Sequence, residues 1–241
     1  MASHPIERRL VLWDIDHTLI ETRGLGRQLY RQAFEAVARR PLAREVDPTG
    51  RTELAIFAET LELNGIEANA DIQRRYIAEL TRQYEANLDE LRIRGRILPG
   101  ATEALAALAN LAGPVQTVLT GNLRGVAAVK LRAFGLARYI DLDAGAYGED
   151  DAERSKLVPF AQDRAGRRYG VSFNRDNTII IGDTVSDVRA AHSGGAAIVA
   201  IASGHDNEDE LREAGAEIVL PDLTDTDRII EALDTRKGPD H

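Results

Sequence analysis

Five short apolar runs, spread along the chain and separated by helical patterns, constrain the fold more than any other feature. They are residues 9–14 (RLVLWD), 115–120 (VQTVLT), 178–182 (TIIIG), 197–201 (AIVAI) and 217–220 (EIVL). They lack the apolar–polar alternation of a half-exposed strand, so they read as strands buried on both faces. Helical patterns cover 101–112, 123–134, 155–169, 185–193 and 207–214, and a weaker strand is expected at 139–144. Strands alternating with helices imply an α/β fold: a Rossmann-like parallel sheet with helices on both faces.

Residues 21–97 break this rhythm. They hold no convincing strand and read as about four helices, over 24–40, 51–63, 69–87 and a short turn near 89–93. Asp47-Pro48-Thr49-Gly50 and Asn64-Gly65 supply the breaks, and Leu98-Pro99-Gly100 the return to the sheet. The organisation expected is a core domain of 1–20 and 98–241, interrupted by an inserted all-helical domain of 21–97. The tail from Asp234 reads as frayed.

Composition narrows the function. A net charge of −9 argues against a nucleic-acid binder. Cysteine is absent, which excludes disulfides and thiolate chemistry. No apolar run reaches the roughly 18–20 residues of a membrane span. Asp14 and Asp16 interrupt the one candidate for a signal-peptide apolar region, so a cytoplasmic location is the expectation. Of the 30 basic residues only Lys130, Lys156 and Lys237 are lysines, so chemistry needing an amine has few candidates. Oligomeric state is not legible.

The strands end in acids. Asp14 and Asp16 follow the first, Thr120 ends the second, and Asp183 and Asp187 follow the strand at 178–182. In an open parallel sheet these ends gather at one edge, where ligands bind. Carboxylates converging there repel one another unless a cation sits among them. Oxygen ligands without cysteine or paired histidines point to Mg²⁺.

Asp14-Ile15-Asp16-His17-Thr18, Thr120-Gly121-Asn122 and Gly182-Asp183-Thr184-Val185-Ser186-Asp187 together resemble, in this order, motifs of the haloacid dehalogenase (HAD) superfamily. The helical insert resembles that superfamily's C1 cap. Leu98-Pro99-Gly100-Ala101, Ile181 to Ala191 and Asn207 to Val219 look most like the phosphoglycolate phosphatase branch. His17 departs from the pattern, where glycine is commoner.

The resemblance implies a Mg²⁺-dependent phosphatase of a small phosphorylated metabolite, working through an aspartyl-phosphate. Asp14 would be the nucleophile and Asp16 the general acid and base. Asp14, Asp183 and the main-chain carbonyl of Asp16 would hold the metal, with Asp187 on metal-bound waters or bracing the site. Thr120, Gly121 and Asn122 would bind phosphate. One lysine should neutralise the nucleophile and phosphate. Lys130 is preferred over Lys156, because its side chain leans back toward the start of its helix. Many relatives carry a Lys-Pro pair at the later position, and here Leu157 follows Lys156. Arg154 is a further basic candidate near the phosphate. Arg51 and His17 are candidate substrate contacts, with Arg23 and Arg27 weaker ones.

The alternative on the same fold is a β-phosphoglucomutase-like phosphomutase; a non-catalytic binding protein would be expected to lose Asp14 or Asp183. A 2-haloacid dehalogenase has no use for Asp16 and Asp183. A phosphonoacetaldehyde hydrolase needs a cap lysine, which 21–97 lacks.

Overall fold

The computed structural model describes residues 8–234. Lys237 and the tail beyond Asp234, read above as frayed, lie outside them.

A five-stranded parallel sheet forms the centre. Its strands are β1 (Leu10–Trp13), β4 (Val115–Val118), β5 (Thr178–Gly182), β6 (Ala197–Ile201) and β7 (Ile218–Leu220), in the order β4-β1-β5-β6-β7. Because β1 is flanked on both sides, all four of its residues are buried. Val11 and Trp13 face one apolar layer, Leu10 and Leu12 the opposite one, as the period of two requires. The first layer is covered by α5 (Ala101–Ala109) and α10 (Thr226–Asp234), the second by α7 (Arg154–Tyr169) and α8 (Val185–Gly194). Helix α9 (Glu208–Glu213) precedes β7.

Register positions the site. Trp13 pairs with Val118 on one side and Ile181 on the other. The chain therefore leaves β1, β4 and β5 at one level, carrying Asp14, Thr120 and Asp183 to the same edge. The order turns outward in two directions from β1 and β5, which opens a crevice at that edge.

The expected strand at 139–144 is absent. A 3₁₀ turn at Ala137–Tyr139 stands there. The chain then touches the edge of β4 at separate points, through Asp141 N–H to the Gln116 carbonyl at 2.9 Å and a single bridge between Leu119 and Ala146. Tyr139 and Leu142 pack against the core at these touches without a continuous ladder.

Between β1 and α5 lie α1 (Leu25–Ala38), α2 (Glu53–Leu63), α3 (Ala70–Ala86) and α4 (Leu88–Arg94). They share an apolar cluster that includes Leu29, Phe34, Phe57, Tyr76 and Leu91. Phe57 stacks on Tyr76 with centroids 3.7 Å apart. Leu123 and helix α6 (Arg124–Ala133), through Val126 and Val129, join this cluster, while Ala127 and Leu131 of α6 join the sheet's own layer. The insert is entered and left through a two-stranded antiparallel ribbon, β2 (Ile20–Glu21) against β3 (Arg96–Ile97). Arg96 donates to the Glu21 carboxylate at 2.8 Å.

Candidate active site

Asp14 lies just past β1, nearly buried. Asp183, just past β5, and Asp187, in the first turn of α8, close around it: one ligand oxygen from each lies within 4.8 Å of the others. Thr18 donates to Asp183 at 2.9 Å. Asp187 works twice. It completes a capping box with Thr184, accepting from the Thr184 N–H at 3.1 Å, and its other oxygen accepts from the Arg154 guanidinium at 2.7 Å. Arg154, from the start of α7, also pairs with Asp14 at 2.9 Å.

Fully ionised, three carboxylates against one guanidinium would leave two negative charges in a buried space. The consequence shows in acidity. Burial, then Asp187 and Asp16 against the opposing pull of Arg154, raises the Asp14 carboxyl to about 6. Burial and the neighbouring Asp14 and Asp187 raise Asp183 to about 8. Hard oxygen donors with uncompensated charge fit a divalent cation such as Mg²⁺.

Asp16 has a different neighbourhood. Lys130 reaches back from α6, its side chain 4% exposed, and donates to both Asp16 oxygens at 2.7 and 2.8 Å. Asn122 donates to Asp16 at 2.8 Å and accepts from Lys130 at 2.7 Å. The Tyr84 ring lies under the ammonium, 5.3 Å from it to the centroid. Burial opposes ionisation of Asp16, but Lys130 and Asn122 outweigh it and hold its carboxyl below the ordinary value.

Thr120 is fully buried and accepts from the Asn122 amide side chain at 2.7 Å. Its own hydroxyl hydrogen is left to donate. Gly121 lies so close to the insert that a Cβ there would meet the Arg51 carbonyl at 2.1 Å. The N–H of Arg124, at the start of α6, is taken by the Glu149 carboxylate at 2.9 Å.

The structure thus brings together Asp14, Asp183 and Asp187 as one group, and Asp16, Lys130, Asn122 and Thr120 as another. His17, at φ 62°, and Arg51 line the same cleft, whose volume is about 700 Å³. Lys156 is not brought in: its side chain is 57% exposed and paired with Asp151 and Glu153 on the surface. Arg23 pairs with Glu21, and Arg27 with Glu45 at the rim. Tyr84, Glu53 and Thr18 also border the chemistry. No sequence motif marks the first two, which stand within helical patterns. Thr18 stands in the first motif, where its spacing from Asp16 was the signal.

This strand-end constellation defines a hydrolase of the HAD type. The model of the haloacid dehalogenase-like hydrolases matches residues 11–192, and the chain belongs to that family. It is 26% identical over 228 residues to a probable phosphatase, IndB, of Dickeya dadantii, covering 93% of this chain and 94% of that one. It is 25% identical to a phosphoglycolate phosphatase of Pseudomonas fluorescens, covering 89% and 77%. A crystal structure of a family IA HAD hydrolase from Entamoeba histolytica has the same fold, with a TM-score of 0.68 at 21% identity, covering 94% of this chain and all of that one.

Proposed function

We propose that this phosphoric monoester hydrolase is a Mg²⁺-dependent phosphatase of a small metabolite, acting through an aspartyl-phosphate on Asp14. The observation that carries the proposal is the buried Asp14–Asp183–Asp187 group set beside the Lys130–Asp16 pair.

Asp14 attacks phosphorus and the bond to the leaving oxygen breaks; Asp16 gives that oxygen a proton. Water then attacks the phosphoryl group, loses its proton to Asp16 and frees Asp14. Lys130 and Asn122 favour the ionised Asp16 that the second half needs. The phosphate dianion competes with Asp16 for Lys130, and a carboxyl released in this way can enter the first half protonated. Thr120 donates its hydroxyl to a phosphate oxygen. Arg154 orients Asp14 and Asp187.

A carboxylate meeting a phosphate dianion at about 3.5 Å faces a repulsion on the order of 10 kcal/mol at an effective dielectric near 20. Asp14, Asp183 and the Asp16 carbonyl would hold Mg²⁺, with Asp187 bracing; when bound it supplies charge neutralisation of phosphate and nucleophile. Helices α1–α4 act as the cap over 21–97, and the ribbon of β2 and β3 as its hinge. The test is phosphate release across a panel of phosphate monoesters with Mg²⁺, using Asp14→Asn as the blank. Release above the blank is expected, and none from any compound would end this reading.

A further inference from the structure

The side of the cleft built by the insert has a composition that bears on the leaving group. Two cationic side chains line that side, Arg27 and Arg51, against three anionic ones, Glu45, Asp47 and Glu53. Both cations are already engaged, Arg27 by Glu45 and Arg51 by Glu59. The remaining cations of the cleft stand at the phosphate end, Lys130 on Asp16 and Arg154 on Asp14 and Asp187. Of the two imidazoles, His205 pairs with Asp206 and His17 lies beside Asp16. A second anionic group on the substrate would therefore meet net negative charge and would have to displace Glu45 or Glu59 from their arginines.

Glu53 is the group that faces this space. It is the first residue of α2, and its N–H donates to the Gly121 carbonyl at 2.7 Å, which fixes the helix start against the core. Its Oε1 accepts from the Tyr76 hydroxyl. Its Oε2 accepts no hydrogen bond from the described residues, and the residue lines the cleft beside the Tyr30 and Tyr84 rings. A half-buried acceptor open to the cleft takes a hydrogen bond from water, which a ligand hydroxyl can replace. Ile56 and Leu80 beside it suit the carbon face of a polyol.

Resting on the phosphatase reading, we propose that the leaving group is a neutral, hydroxyl-bearing one, a polyol or sugar, with one hydroxyl donating to Glu53 Oε2, and that phosphorylated carboxylic acids and bisphosphates are poor substrates. Glu53 is then a specificity-determining residue.

The experiment compares kcat/KM for glycerol phosphate, a hexose 6-phosphate, ethanolamine phosphate, phosphoglycolate and a hexose bisphosphate, in wild type, Glu53→Gln and Glu53→Ala. Glutamine keeps an oxygen for Tyr76 and turns the open acceptor into a donor. The neutral hydroxylated esters should exceed phosphoglycolate by at least about tenfold in wild type, and Glu53→Gln should shrink that ratio about tenfold. Phosphoglycolate, the bisphosphate or ethanolamine phosphate leading in wild type overturns the proposal without any variant. A ratio unchanged in both folded variants removes Glu53 from it. If no compound is hydrolysed above the Asp14→Asn blank, the phosphatase reading itself has failed, which is a different result from a wrong preference among substrates that turn over.

Discussion

Asp14 and Asp16 are two residues apart on one turn, and their surroundings treat them in opposite ways. Around Asp14 the neighbours are mostly other carboxylates, and its acidity is weakened, to about 6. Around Asp16 a buried ammonium and an amide donate directly, and its acidity is strengthened. The first neighbourhood is short of positive charge and fits a cation. The second carries its own. One loop thereby presents a carboxylate suited to a metal and a nucleophilic role next to one suited to exchanging protons.

Breaking the Asp14 side should have the largest effect. Asp14→Asn is expected to lower phosphate release by at least about 10³-fold while the folded spectrum is kept. Activity close to wild type in a folded Asp14→Asn protein would remove it as nucleophile. Breaking the Asp16 side comes next. Lys130→Ala leaves a partly buried carboxylate without its cation, and kcat should fall about 10²-fold. A smaller loss than that of Lys156→Ala would transfer the role to the surface lysine.

The difference can be sharpened without measuring turnover. Asp14 and Asp183 are both raised, from 3.8 to about 6 and about 8. In metal-free protein the native state therefore keeps protons that the unfolded chain has released, and stability falls as pH rises from about 4 to 8. Mg²⁺ competes with those protons, so it should raise Tm more at pH 8 than at pH 5. Asp183→Asn should flatten the metal-free slope. Equal Mg²⁺ shifts at both pH values, with an unchanged slope in Asp183→Asn, would contradict this picture of the trio. The smallest effect belongs to Lys156→Ala, within about twofold in kcat, because its side chain makes only exposed pairs.

Much of this was legible because the strongest signals were local. The runs at 178–182 and 197–201 are β5 and β6 residue for residue, and the helical stretches of the insert sit within a few residues of α1, α2 and α3. The expectation at 139–144 failed because Tyr139 to Ala144 has strand-like residues, yet its hydrogen bonds to β4 are isolated ones that depend on where a distant strand lies. Helix α10 and the two-residue ribbon were not anticipated. The ribbon is too short to leave a pattern. Arg154 was only faintly visible, since its partners Asp14 and Asp187 are far away in sequence and meet it only through the parallel order of β1 and β5. Glu53 and Tyr84 were invisible as site residues for the same reason: each looks like an ordinary position on an amphipathic helix until the insert is folded over the sheet edge.

The ribbon of β2 and β3 has a consequence for how such a molecule can change. Glu21 and Arg96 are cross-strand partners, so the chain departs from the sheet and rejoins it at points only about 5 Å apart. Everything in residues 22–95 hangs from that single doorway. On α6 and its flanks the insert meets Leu123, Gly125, Val126, Val129 and Ala133. The acids at the strand ends and the side chains of the insert thus lie on separate pieces of chain, joined covalently only through this ribbon.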